Sequence, residues 1–158
     1  MSDPVADLLA FIDASPTPYH AAAEAARRLE AAGFLRLEET DPWELAPGDR
    51  RYVIRSDASI AAFEVGTVPP AEAGFRIVGS HTDSPNFRVK PNPDVTAHGY
   101  RQLAVEPYGG VLLYTWLDRD LSIAGRVSLA EGPRVVTRLV SFGRPLVRIP
   151  SLAIHLNR

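Results

Sequence analysis

The sequence predicts an α/β fold that passes into an all-β region, and three observations predict it. Two stretches with helix-spaced apolar residues come first, at Val5–Ile12 and Tyr19–Ala32. Strand-like runs follow and close on the apolar run Phe75, Ile77 and Val78. From about Pro93, short strand-like runs separated by Gly or Pro take over, which is the spacing of an all-β unit. The first part reads as only half of an α/β domain, because no helices follow to cover the second face of its sheet.

In the first helix, Val5, Leu8, Leu9 and Ile12 share a face, and Ser15-Pro16-Thr17-Pro18 stops it. Thr17 is placed to cap the second helix, with Pro18 at the first helical position, where a missing N–H costs nothing. Ala22, Ala25, Ala26, Leu29 and Ala32 line one face of that helix, and Gly33 ends it. Alanines there imply close packing against a sheet or another helix. His20, in the first turn, reads as a solvated or capping residue.

After turn-rich sequence, Tyr52–Arg55 and Ser59–Val65 read as a hairpin closed by Ser56-Asp57-Ala58. Pro69 and Pro70 break the second strand. The run from Phe75 to Val78 reads as a buried central strand, and at its end stand His81 and Asp83. Residues i and i+2 of extended chain share a side, so an imidazole and a carboxylate are presented together. A carboxylate beside a ligating histidine fixes its tautomer, as in zinc sites. Strand ends of α/β sheets are also where such folds place their chemistry.

The later runs are Gln102–Val105, Val111–Trp116, Leu121–Leu129, Arg134–Val140 and Leu146–Ile149. The charge balance shifts with them, to five acids against eight arginines from Pro93 onward. We therefore divide the chain into residues 1–92 and 93–158, with the boundary near Asn92–Val95. Asp118 and Asp120 alternate on one strand face and invite a metal, but arginine forks match carboxylates well and neighbouring arginines are the plainer partners. His155 lies in the apolar stretch Leu152–Leu156, which Pro150 is placed to start as a helix, and reads from its neighbours as a core or interface histidine. His98, between Ala97 and Gly99, reads as a loop residue.

Composition bounds the rest. The 158 residues are 46% hydrophobic and 23% charged, enough for a globular core. A net charge of −2 gives no reason to expect nucleic acid or an anionic membrane as partner. No apolar run reaches the length of a bilayer span, and the N-terminus lacks a signal-peptide pattern, so the cytoplasm is the expected compartment. Without cysteine, any metal must be held by histidine and carboxylates. There is no phosphate-binding glycine loop, nucleophile elbow or cysteine nucleophile. Ser80 and Ser84 lie too near His81 and Asp83 in sequence to form a relay, which draws its residues from separate segments.

Longer strings carry more. Gly79-Ser80-His81-Thr82-Asp83-Ser84-Pro85-Asn86-Phe87-Arg88-Val89-Lys90-Pro91 closely resembles the metal-site segment of the M18 aminopeptidases, the aspartyl aminopeptidase family. Ser15-Pro16-Thr17-Pro18-Tyr19-His20-Ala21 resembles their opening segment. Val105–Gly110 and Trp116–Val127 look like the segments that open their inserted β domain, and Arg148–Arg158 looks like a later one.

The resemblance implies the first part of a phosphorylase/hydrolase-like zinc-aminopeptidase catalytic domain, followed by the start of an inserted all-β dimerisation domain. It implies a pair of metal ions, usually zinc, with His81 a ligand and Asp83 the residue that orients it. It implies that His155 reaches a neighbouring subunit's active site and helps to bind substrate. The expected substrate is a peptide with an acidic N-terminal residue, and the expected assembly is a homo-oligomer built through the inserted domain. The bridging aspartate, the glutamate base and the other ligands come from later family sequence. Because the chain stops inside the insertion, the expectation is the N-terminal portion of a longer enzyme, with weak metal affinity by itself. The rival expectation is a non-catalytic module that joins or modulates oligomers of a complete relative.

Overall fold

The structure is a computed structural model and describes residues 3–156. In chain order the elements are α1 (Pro4–Asp13), α2 (Pro18–Ala31), β1 (Leu35–Arg36), β2 (Arg50–Arg55), β3 (Ser59–Glu64), α3 (Pro70–Ala73), β4 (Asn86–Ala97), β5 (Tyr100–Tyr108), a 3₁₀ turn (Leu113–Trp116), β6 (Asp120–Leu121), β7 (Ala124–Glu131), β8 (Arg134–Ser141) and β9 (Val147–Arg148). They form two compact units. One holds the chain up to Thr82 together with Ala124–Ser141, and the other holds Asp83–Ile123 together with the chain from Phe142.

In the first unit both long helices start as the sequence requires. The Asp3 carboxylate accepts from the Val5 amide at 2.9 Å, and Thr17 Oγ1 accepts from the His20 amide at 3.3 Å. The end of α2 is a left-handed Gly33 (φ 87°), with the Gly33 amide on the Glu30 carbonyl and the Phe34 amide on the Leu29 carbonyl. Arg28 clamps α1 onto α2. Its Nη1 donates to both Asp7 carboxylate oxygens at 2.9 Å, and its guanidinium lies 5.2 Å from the Phe11 ring centre. The small face of α2 then comes close to the sheet, as its alanines require. Ala21, Ala22 and Ala26 are buried with Leu37, Tyr52 and Val53. In the sheet, β1 runs parallel to β2 and β2 antiparallel to β3. The β7–β8 ribbon is tied to this unit by Arg126, which reaches Asp57 at 2.8 Å and lies 4.4 Å from the Tyr19 ring centre.

Glu24, on the same helix, accepts from Arg27 at 2.7 and 2.6 Å and from Arg28 at 2.7 Å. The hydrogen bonds from Arg27 and then Arg28 hold its carboxyl at about 2, against an ordinary 4.5. A depressed carboxylate stabilises the fold above its unfolded pKa, and that contribution is lost as pH falls through its folded value. Glu24→Gln is therefore expected to flatten the loss of thermal stability between about pH 4.5 and 2. Parallel melting-temperature curves for the two proteins across that window would count against the assignment.

In the second unit β4 and β5 form a hairpin closed by His98 and Gly99, both at positive φ (51° and 82°), as a two-residue hairpin turn requires. The register slips between Val89 and Asp94, where Pro91 and Pro93 have no amide to give the ladder. The short strands β6 and β9 pair antiparallel.

Several sequence expectations need correction. Phe75–Val78 is not a strand and not buried: Phe75 is 78% exposed, Ile77 84% and Val78 100%. A strand exists through its ladder, and none of the described pairings includes this run. Val111–Trp116 is not a strand either. Thr115 closes a 3₁₀ turn by giving both its amide (3.1 Å) and its hydroxyl (2.7 Å) to the Leu112 carbonyl, a local alternative to a ladder. The run Leu121–Leu129 is broken into β6 and β7. Sequence reasoning missed β1, α3 and β4, the last of which runs unbroken through residues 92 and 93. The hairpin at 52–65, both long helices and the β character of the later chain agree with expectation.

Candidate functional site

His81 lies in the irregular segment between α3 and β4 and is exposed. Its neighbour Thr82 fixes this stretch to the first unit, donating its hydroxyl to the Ala58 carbonyl at 2.8 Å in the β2–β3 turn. Asp83 is half-buried at the start of the second unit. It accepts a short hydrogen bond from the Tyr108 hydroxyl at the end of β5, a residue paired in register with Asn86. That bond to Asp83 raises the Tyr108 phenol above its ordinary range, so the phenol stays a donor. The Arg88 guanidinium stacks 3.4 Å from the Tyr108 ring centre and fixes its plane. Behind it Gly109 is left-handed (φ 65°) and passes Pro85 closely, at a place where a Cβ would be strained. Tyr108 was not singled out from the sequence. The β4–β5 register brings it to Asp83, and nothing local to either residue announces that pairing.

The other candidates have partners or places of their own. His20 Nδ1 is 2.7 Å from Thr17 Oγ1, so it serves the start of α2. His98 is a hairpin-turn residue. Asp120 faces Arg148 at 3.7 Å, as the arginine-pairing reading expects, while Asp118 instead binds Ser151. His155 is exposed in a turn, closed by the Leu156 amide on the Ala153 carbonyl, and not in a helix. Asn157 and Arg158 of the last motif lie outside the described residues. A shallow cavity of about 210 Å³ in the first unit, lined by Tyr19, Ile54, Asp57 and Arg126 among others, holds none of His81, Asp83 and His155.

A two-metal hydrolytic centre needs several ligands, a bridging carboxylate and a base. Among the described residues no group of three His, Asp or Glu side chains is placed to hold a metal ion. The donor set present does not make up such a centre.

The sequence profile of the family described as "Aminopeptidase I zinc metalloprotease (M18)" matches residues 11–158. The chain belongs to the M18 family of metalloaminopeptidases. Among M18 relatives, it is 59% identical over 152 residues to a probable M18 family aminopeptidase 2 of Streptomyces coelicolor, covering 96% of this chain and 34% of the relative. It is 54% identical over 151 residues to the protein of the same name from Pseudomonas aeruginosa PAO1, covering 96% and 35%. It thus spans about a third of the length of the curated M18 relatives it matches. Among solved M18 structures it superposes on a chain of the Ape4 and Nbr1 complex with a TM-score of 0.90 at 47% identity, covering 96% of this chain and 29% of that one. For the S. cerevisiae mApe1 dodecamer the TM-score is 0.87 at 36% identity, covering 97% and 36%. The mixed α/β architecture with small sheets is therefore that of M18 enzymes.

Among the described residues no helix is long and apolar enough to cross a membrane.

Proposed function

We propose that these residues form the N-terminal part of a zinc-dependent aminopeptidase that removes N-terminal, acidic residues from peptides in the cytoplasm. His81 supplies one metal ligand, Asp83 orients it, and His155 reaches the substrate site of a neighbouring subunit. Residues 1–92 belong to the catalytic domain and 93–158 begin the inserted β region through which like subunits assemble. The observation that carries this reading is the family match over residues 11–158, with the His81–Asp83 motif inside it. Two features support the roles. His81 is exposed, and Asp83 is held from behind by Tyr108, as a carboxylate that must orient an imidazole needs to be. The dodecamer formed by the mApe1 neighbour supports like-with-like assembly.

Because the donor set is incomplete, the 158 residues alone are expected to show no turnover of substrates with N-terminal Asp, Glu or Leu, with zinc, manganese or cobalt added. Joined in one polypeptide to the remaining sequence of the Streptomyces relative, they are expected to turn over the acidic substrates, and His81→Ala to abolish this. Activity that survives His81→Ala in the joined protein would remove His81 from the metal site. Activity of the 158 residues alone, lost in His81→Ala, would show that a working centre assembles from them unaided.

A further inference from the structure

We propose that Asp118 is the positioning residue for His155, acting through a clamp on Ile149–Ser151. The inference rests on the proposed role of His155, and the clamp itself stands on geometry within the second unit.

Asp118 sits at the end of a short bridged stretch in which Leu117 pairs with Ile149 and β6 with β9. Its backbone is left-handed (φ 54°), a conformation that aspartate tolerates better than most residues. From that position it makes four bonds to the strand leading toward His155. Its amide donates to the Ile149 carbonyl at 2.8 Å, and its carbonyl accepts from Arg148 Nη2 at 3.0 Å. Its carboxylate takes both groups that Ser151 offers. Oδ1 accepts the Ser151 amide at 3.1 Å, and Oδ2 accepts the Ser151 hydroxyl at 2.5 Å. Asparagine would keep the first of these bonds, and alanine keeps neither. Both bonds favour the ionised carboxylate and hold Asp118 below the usual range, so the clamp is charged at neutral pH.

Beyond Ser151 the described side chains are exposed. Leu152 is 62% exposed, Ile154 81% and Leu156 70%, and the described structure here is a single turn closed by the Leu156 amide on the Ala153 carbonyl. Three residues separate the last clamped position from His155, so the direction in which the arm leaves Ser151 sets where the imidazole points. An arm held at its root with its side chains exposed suits a histidine that must fit a surface outside its own unit.

The test uses the 158-residue chain labelled with ¹⁵N, with Ile77→Lys in every sample to suppress association through the exposed Phe75–Val78 run. Amide order parameters and hydrogen exchange are read at Ser151–Leu156, with the β4–β5 hairpin as internal reference. In the parent chain the Ser151 amide is expected to exchange slowly, and the arm to stay above the order parameter of about 0.6 that marks flexible backbone. Asp118→Ala is expected to drop the arm below that level and to speed Ser151 exchange at least tenfold, with β4–β5 unchanged. Asp118→Asn should recover part of both effects. Should Asp118→Ala disturb β4–β5 as well, Ser151→Ala replaces it, since that variant removes the hydroxyl bond and leaves Asp118 in place; arm loosening is again the expected result. An arm that is already flexible in the parent, or unchanged in the variant so tested, overturns the clamp. The role of His155 is tested separately, by kcat of His155→Ala in the joined enzyme. An unchanged kcat there with a loosened arm here would sink the role of His155 and leave the clamp standing.

Discussion

Tyr52→Ala is expected to unfold the first unit at room temperature or bring it near its midpoint. Tyr52 is 1% exposed and is the largest fully buried side chain among the described residues. The rest of that core is small: three alanines of α2, Leu37 and Val53. Removing a buried aromatic ring costs about 3–5 kcal/mol, because the cavity cannot close around atoms already at their closest approach. Folding of a small domain is worth only about 5–15 kcal/mol in total, and a core of this size belongs at the low end. Tyr52→Phe separates the two parts of the residue. It keeps the ring and loses only the hydroxyl bond to Glu30, an exposed carboxylate that water can satisfy, so about 0.5–1.5 kcal/mol is expected. Urea unfolding followed by circular dichroism measures both. If alanine costs no more than phenylalanine, the ring is not what the alanine face of α2 packs upon.

The second large effect is expected at Phe75–Val78. Three large apolar side chains, Phe75, Ile77 and Val78, stand 78%, 84% and 100% exposed within four residues of irregular chain. Burying them would release roughly 5–9 kcal/mol, at about 1.5–3 kcal/mol each. The backbone beside them is in no described ladder and can accept a further strand. A dimer buries the run of both copies, roughly 10–18 kcal/mol against an association cost of roughly 4–15 kcal/mol, so concentration-dependent self-association is expected. Sedimentation velocity should show concentration-dependent species, and a dye that reports apolar surface should bind. Ile77→Lys is expected to lower both, with helix content unchanged, because it places a charge where a pairing strand would lie. A chain that stays monomeric at high concentration and binds no dye would mean that this run is covered in a way the structure does not describe.

What was legible in the sequence was local. Thr17, Pro18 and Gly33 mark the ends of α2 because capping chemistry acts over a few residues, and the structure bears all three out. The turn at Ser56-Asp57-Ala58 was legible for the same reason. The Phe75–Val78 run misled, since β-rich composition records a preference and a strand needs a neighbour that composition does not supply. Thr115 and Leu112 made a turn out of a strand-like run through bonds that propensity does not weigh.

By itself, then, the sequence determined the two long helices, the caps of α2, the hairpins' β character, the membership of the M18 family and the motif that holds His81 and Asp83. Only the tertiary structure decided that Tyr108 meets Asp83, that Asp118 binds Ser151 and that Tyr52 anchors the core. The physical reason is distance along the chain. These pairs lie 25, 33 and, for Tyr52 with Glu30, 22 residues apart. Strand register, set by hydrogen bonds summed over whole ladders, brings such residues together, and no short window of sequence contains that sum.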